Sequence, residues 1–227
     1  MIRLHLIGEG QTEETFVRDV LAPHLAAYAV FTDVRCIDTS RRRGHRGGIG
    51  RHYAPIRRDL QRWLAEDPRP EARFSTLLDL YGLPTDMPAA DGAQQLADPY
   101  ARVSCLEQAF AENVADPRFI AHIQLHEFEA LLLSDPQQFD WEFLEHTRAI
   151  RQLAQIAAQF ASPELIDDGY ATAPSRRIAA LIPEYALRKS SAGPLIAAKI
   201  GLPTIRARCP HFADWLTHLE GLTAKAR

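Results

Sequence analysis

The apolar positions of this chain fall into two regimes. Up to about residue 135, short apolar bursts of strand length alternate with stretches of helical spacing; beyond it only the helical spacing persists. Residues 2–7 (Ile2, Leu4, Leu6 and Ile7 apolar) end at Gly8 and read as a buried strand. Phe16, Val17, Val20, Leu21, Leu25 and Ala26 then recur at helical spacing, which predicts a helix over 12–28, kinked or weakened at Pro23. Glu13 and Glu14 fall in its first turn, where the helix dipole favours acids. The pattern next predicts a strand over 30–37, a helix over 53–65, a strand within 74–82 ending near Asp79, and a helix over 103–114. A fourth strand follows over 119–124 and a helix over 126–133. From there, helices are predicted over 142–160, 175–182, 194–200 and 211–219.

Strands that alternate with helices imply a parallel sheet with right-handed crossovers. The expected architecture is therefore α/β: about four parallel strands flanked by helices over residues 1–135, with an all-helical extension over 136–227 packed on that core. In such sheets ligands gather at the carboxyl ends of the strands, near a topological switch point. Acids fall there three times: Glu9 and Glu13 after the first strand, Asp79 after the third, Glu127 and Glu129 after the fourth. Any one of them is explained as a helix-start, turn or surface acid. Three groups meeting at one sheet edge are not, because like charges brought together call for a cation. An all-oxygen set suits Mg²⁺ or Mn²⁺ and not zinc.

The turn GEGQTE (8–13) loosely matches a dinucleotide fingerprint, but its third glycine is replaced by Glu13. Glu9, Glu13 and Glu14 would also stand where a pyrophosphate sits, which charge repulsion disfavours. A cation suits the turn better. GxxxxGK[ST] and GxSxG do not occur, and His126-Glu127 lacks the second histidine of HExxH because position 130 is Ala.

Composition changes the picture in one respect. The 227 residues are 46% hydrophobic and 24% charged with a net charge of −3, an ordinary globular balance. No apolar run approaches the roughly 20 residues of a bilayer span, no signal pattern is seen at the N-terminus, and the isolated Cys36, Cys105 and Cys209 suggest a reducing compartment. The expected setting is cytoplasmic, away from membranes. The charges, however, are segregated. Residues 41–62 hold eight arginines and one acid, 79–145 hold 13 acids and two bases, and 188–227 hold seven bases and two acids. Carboxylates for metal between basic segments for phosphate is the charge layout of a cation-dependent nuclease.

A strand ending in Glu-Gly-x-(Thr/Ser)-Glu, followed by one ending in Asp, resembles the Toprim fold of topoisomerases, primases and nucleases of the overcoming-lysogenization-defect type. More specifically, the chain is identified as similar throughout to the bacterial family DUF4276, through GEGQTEE (8–14), LLDLYGLP (77–84), FIAHIQLHEFEALLLSDP (119–136), PSRR (174–177), AAKIGL (197–202) and RCPHFADWL (208–216). The resemblance implies that the Toprim glutamate is Glu9 and the first aspartate of Asp-x-Asp is Asp79. The second aspartate position is Tyr81, so either the site loses a ligand or another acid, Asp86, Glu127 or Glu129, replaces it. The Glu9/Glu13 spacing and the HEFEALL block resemble the acidic segments of the lysogenization-defect nucleases.

These readings set two expectations. One is a Mg²⁺- or Mn²⁺-dependent phosphodiesterase acting on DNA or RNA, with Glu9, Asp79, Glu129, Glu13 and Glu127 as metal ligands. Glu9, Glu13 and Asp79 would be catalytic, with Glu13 as proton acceptor. Arg41, Arg42, Arg43, Arg46, Arg51, Lys189, Lys199 and Arg206 would bind nucleic acid. His126 is either a partner of the site or a structural histidine. The other expectation is a non-catalytic or conditionally active subunit that partners an ABC- or AAA-type ATPase in a bacterial defence or toxin-like system. There the block His211-Phe212-x-x-Trp215-Leu216 would be a docking surface, unless it closes the local core.

Overall fold

The structure, a computed structural model, describes residues 1–37, 52–166, 169 and 172–224. In chain order its strands and α-helices are β1 (Ile2–Gly8), α1 (Gln11–Phe16), α2 (Ala22–Ala26), β2 (Val30–Cys36), α3 (Tyr53–Glu66), β3 (Ala72–Asp79), α4 (Ala90–Gln94), α5 (Pro99–Val114), β4 (Phe119–Ile120), β5 (Ile123–Gln124), α6 (Glu129–Leu132), α7 (Thr147–Ala157), α8 (Pro174–Leu181), α9 (Tyr185–Ile200), α10 (Leu202–Arg208) and α11 (Pro210–Glu220). All pairings are parallel, in the order β2-β1-β3-β4, with β5 continuing beside β3. The chain leaves β1 for β2 on one side and crosses to β3 on the other. The switch point therefore lies between the carboxyl ends of β1 and β3, where Glu9 and Asp79 emerge.

Strand alternation divides the buried residues. Ile2, Leu4 and Leu6 of β1 join the larger core, with Phe16, Phe128, Phe139, Tyr185, Ile196 and Phe212. Ile7 joins a second core under α3 and α5, with Leu60, Trp63, Phe74, Phe110 and Phe119. The larger core includes β1 and residues up to Leu222, so the helical region packs directly against the sheet. Among the described residues no helix is long and apolar enough to cross a membrane.

Several elements depart from the periodicity for identifiable reasons. The helix expected over 12–28 is α1 and α2 joined by a π-helical turn at Val17–Leu21, in which Ala22 N–H reaches the Val17 carbonyl. Pro23, which has no N–H to donate, follows at once. The strand expected over 119–124 divides into β4 and β5 because Thr76 intervenes. Its Oγ1 accepts from His122 N–H (2.9 Å) and donates to the His122 carbonyl (2.8 Å), replacing a ladder bond at the break. The helix expected over 126–133 shrinks to α6, since His126 has φ +62°, a left-handed conformation that no helix contains. That expected over 142–160 starts only at Thr147, after 3₁₀ turns at Pro136–Trp141 and Leu144–His146. Pro194 lies inside α9 rather than at its start. Two short helices, α4 and α10, were not expected from the pattern.

Candidate metal centre

Each acid of the centre is held by backbone whose course the local sequence dictates. Gly8 lets α1 approach β1: a Cβ there would lie 3.0 Å from Glu13 Cβ. Glu13 folds back so that its Oε2 accepts the Gly10 N–H at 2.8 Å, closing the helix start. Glu9 crosses to β3 and accepts the Asp79 N–H at 3.2 Å. Asp79 in turn accepts the Phe128 N–H at 2.9 Å, which ties the end of β3 to the start of α6. Glu127 accepts from both the backbone N–H and the hydroxyl of Ser175, the hydroxyl at 2.9 Å. Glu129 is fully buried, accepts the Tyr185 hydroxyl at 2.8 Å, and lies 3.0 Å from Lys189 Nζ. The outcome is a chain of held carboxylates from the turn after β1, α1, the end of β3 and the start of α6, with an ammonium from α9.

Asp79, Glu127 and Glu129 each bring a carboxylate oxygen within 4.8 Å of the others, a grouping that could hold a metal ion. All of its donors are oxygen. The electrostatics show what such a cluster costs without one. Burial, then the charges of Glu9 and Glu13, raise Asp79 well above the usual carboxylate range. Burial, then Glu9, push Glu13 up to about 7. Burial also pushes Glu129 up to about 7, against the opposing pull of Lys189, and it raises Glu9, partly offset by the Asp79 N–H and Lys189. Lys189, attracted mainly by Glu129 and Asp79, holds its proton more tightly than a free lysine despite its burial. Among the described residues, one lysine beside five acids leaves the centre short of positive charge.

The second turn after β3 adds a steric constraint. A Cβ on Gly82 would sit 2.6 Å from Glu9 Oε2 and 2.8 Å from Oε1. Gly82→Ala should therefore displace the Glu9 carboxylate and weaken divalent-ion binding by roughly 10- to 100-fold. Mn²⁺ titration of parent and variant measures this; equal affinities would remove Glu9 from the centre.

Of the five sequence-predicted acids, Asp79, Glu127 and Glu129 come within metal-holding distance of one another. Glu9 reaches the Asp79 N–H, and Glu13, raised by burial and then by Glu9, does not join that grouping. Asp86 stands apart from the grouping of Asp79, Glu127 and Glu129: its carboxylate accepts the Tyr53 N–H (2.8 Å) and faces His52 (3.3 Å). Of the predicted nucleic-acid contacts, Lys189 sits inside the acidic centre instead of beside it. Lys199 lies over the Trp141 ring at 4.0 Å, and Arg206 is engaged by Glu220 (2.5 Å) and Thr217 (3.2 Å). Arg41, Arg42, Arg43, Arg46 and Arg51 lie outside the described residues. Tyr185 and Ser175, which hold Glu129 and Glu127, carried no signal in the periodicity. Ser175 does lie in the PSRR block.

A second cluster, Glu107, His122 and His211, also has metal-like composition. Its imidazoles stack at 5.0 Å with planes 20° apart, and His122 stacks on Trp215 at 4.2 Å and 8°. The cluster also fastens α11: Glu107 Oε1 meets His211 Nε2 (2.9 Å) and the Ile123 N–H (2.7 Å). Buried Glu164 accepts the His211 and Phe212 N–H groups at the helix start. Phe212, Trp215 and Leu216 are buried in the larger core, so this block closes the core and is not a surface for docking.

Fold and site together define a class: an α/β protein with an all-parallel sheet and a buried acidic centre at its switch point, able to accommodate a cation. The chain belongs to the family described as Domain of unknown function (DUF4276), which matches residues 8–220. No curated protein and no solved structure matches it.

Proposed function

We propose that the acidic centre is a Toprim-like divalent-cation site and that the protein is a Mg²⁺- or Mn²⁺-dependent phosphodiesterase acting on nucleic acid. The observation that carries the reading is the clustering of Asp79, Glu127 and Glu129, with Glu9 and Glu13 next to them, at the switch point, compensated among the described residues by Lys189. Asp79, Glu127 and Glu129, with Glu9, would hold the ion. When bound, a divalent ion neutralises charge on the phosphate and acidifies a water. Glu13, pushed to about 7, is matched to accept a proton near neutral pH. With Glu129 holding the ion, Lys189, 3.0 Å from that carboxylate, would be placed to meet a phosphate oxygen. Ile37 N–H bonds the Gly8 carbonyl at 3.1 Å, which holds the end of β2 beside the end of β1. The basic residues 41–51 would supply phosphate contacts.

The test is cleavage of labelled DNA and RNA by the purified chain. Cleavage is expected with Mg²⁺ or Mn²⁺ and none with EDTA. Cation binding without cleavage by the chain alone, restored by an ATPase encoded beside it, would favour the conditional-subunit reading; neither binding nor cleavage would end the proposal.

A further inference from the structure

A cleft of about 190 Å³ is lined in part by the immediate chain neighbours of the acids of the centre. Leu80 and Tyr81, directly after Asp79, form one side, and His126, directly before Glu127, forms another. Leu83, Met87 and Leu106 supply apolar lining, so the cleft is largely apolar. Tyr81 is 39% exposed, and its ring lies 5.4 Å from the His126 ring with planes 34° apart, giving an aromatic wall. Polar groups, those of Gln94 and Arg102 among them, border the apolar surface.

We propose that this cleft receives one unpaired nucleobase of the strand whose phosphate lies at the carboxylates. The inference rests on the phosphodiesterase reading and names the substrate feature that would position the strand: a base turned out of its stack. Three features argue for that occupant. The volume falls below the roughly 300–1,000 Å³ of sites for whole drug-sized ligands, and so suits one ring system and not a complete nucleotide. The lining offers what a base needs, an apolar slot with an aromatic face for stacking and polar groups for its edge. The neighbourhood fits too. The 3₁₀ turn Leu80–Gly82 carries Tyr81 and also presses Gly82 against Glu9. The Tyr81 N–H donates to the His126 carbonyl at 3.0 Å, coupling the two aromatic walls to the two acid-bearing segments. A base in this slot would have its own phosphates within reach of the centre. A paired base could not enter, so the preferred substrate is single-stranded or locally open.

The experiment compares the affinity of the full chain for oligothymidylate with that for an abasic strand of equal length and charge, in Ca²⁺ and again in EDTA. Phosphate contacts are common to both strands, so the ratio isolates the base. A preference of about 5- to 100-fold for the base-bearing strand is expected. It should be kept by Tyr81→Phe, fall toward one in Tyr81→Ala, and fall also in Ala90→Leu, which narrows the slot without touching the tyrosine. Circular dichroism of each variant checks folding. Equal affinities of the parent for the two strands, or a Tyr81→Ala variant with the parent's preference, would overturn the inference and leave the phosphodiesterase reading untouched. Failure of both strands to bind, with no metal-dependent cleavage, would overturn the two together.

Discussion

Asp79→Asn should abolish metal-dependent cleavage, lowering the rate by about 10³-fold or more, while leaving the metal-free protein at least as stable as the parent. The loss follows from removing a charge that would help hold the ion, whose contribution to phosphoryl chemistry is worth several kcal/mol. The retained stability follows from the packing. Asp79 Oδ1 accepts the buried Phe128 N–H at 2.9 Å, and an asparagine carbonyl can do the same. Alanine cannot, and would leave that N–H unsatisfied at a cost of about 1–3 kcal/mol. The asparagine also relieves the repulsion with Glu9 and Glu13 that now raises Asp79. Glu9→Gln should behave alike, since its amide oxygen can still accept the Asp79 N–H. Loss of activity alone is also what a misfolded variant shows; loss of activity with a thermal midpoint unchanged or raised is what a charge-holding site shows. Cleavage at the parent's rate by both variants would disprove the assignment.

The second large effect is a dependence of stability on pH that a divalent ion should reverse. Glu129 is fully buried, and its carboxyl is raised from 4.5 to about 7. Between those values the folded protein keeps a proton that the unfolded chain has released, so stability falls as pH rises. At about 1.4 kcal/mol per pH unit the loss reaches roughly 3 kcal/mol by neutral pH. Glu129→Gln removes this ionisation while its Oε1 can still accept the Tyr185 hydroxyl. Denaturant unfolding in EDTA at pH 5 and pH 8 should therefore show the parent losing about 3 kcal/mol more than the variant over that interval. With saturating Mn²⁺ the parent should recover most of the loss at pH 8 and gain little at pH 5, where protons compete for the carboxylates. A parent and variant with the same pH dependence would show that Glu129 is not held in a charge-poor pocket.

The two predictions rest on residues that differ in how visible they were. Glu9, Glu13 and Asp79 follow strands or open a helix, and the rule that ligands gather at carboxyl strand ends singles them out directly. Glu127 and Glu129 are visible only as acids after a fourth strand, because the left-handed His126 and the break at Thr76 that aim them leave no mark on hydrophobic periodicity. Lys189 looked like one more base in a basic segment. Its part as the counter-charge of the centre depends on α9 packing beside α1 and α6, which brings together positions some 60 residues or more apart in sequence.

The alternation of strand and helix patterns, the acids at strand ends, the segregation of charge and the family blocks were all set by the sequence, because each is local and reads out at a period of two or of 3.6 residues. The meeting of Asp79, Glu127 and Glu129, the separate engagement of Asp86 with Tyr53 and His52, the gathering of Glu107, His122 and His211 at α11, and the cleft walled by Tyr81 and His126 were decided only by the tertiary structure. Those are relations between segments far apart along the chain, and no local period encodes them. They come into being when two faces of one parallel sheet bury their apolar residues and so place every strand end at the same edge.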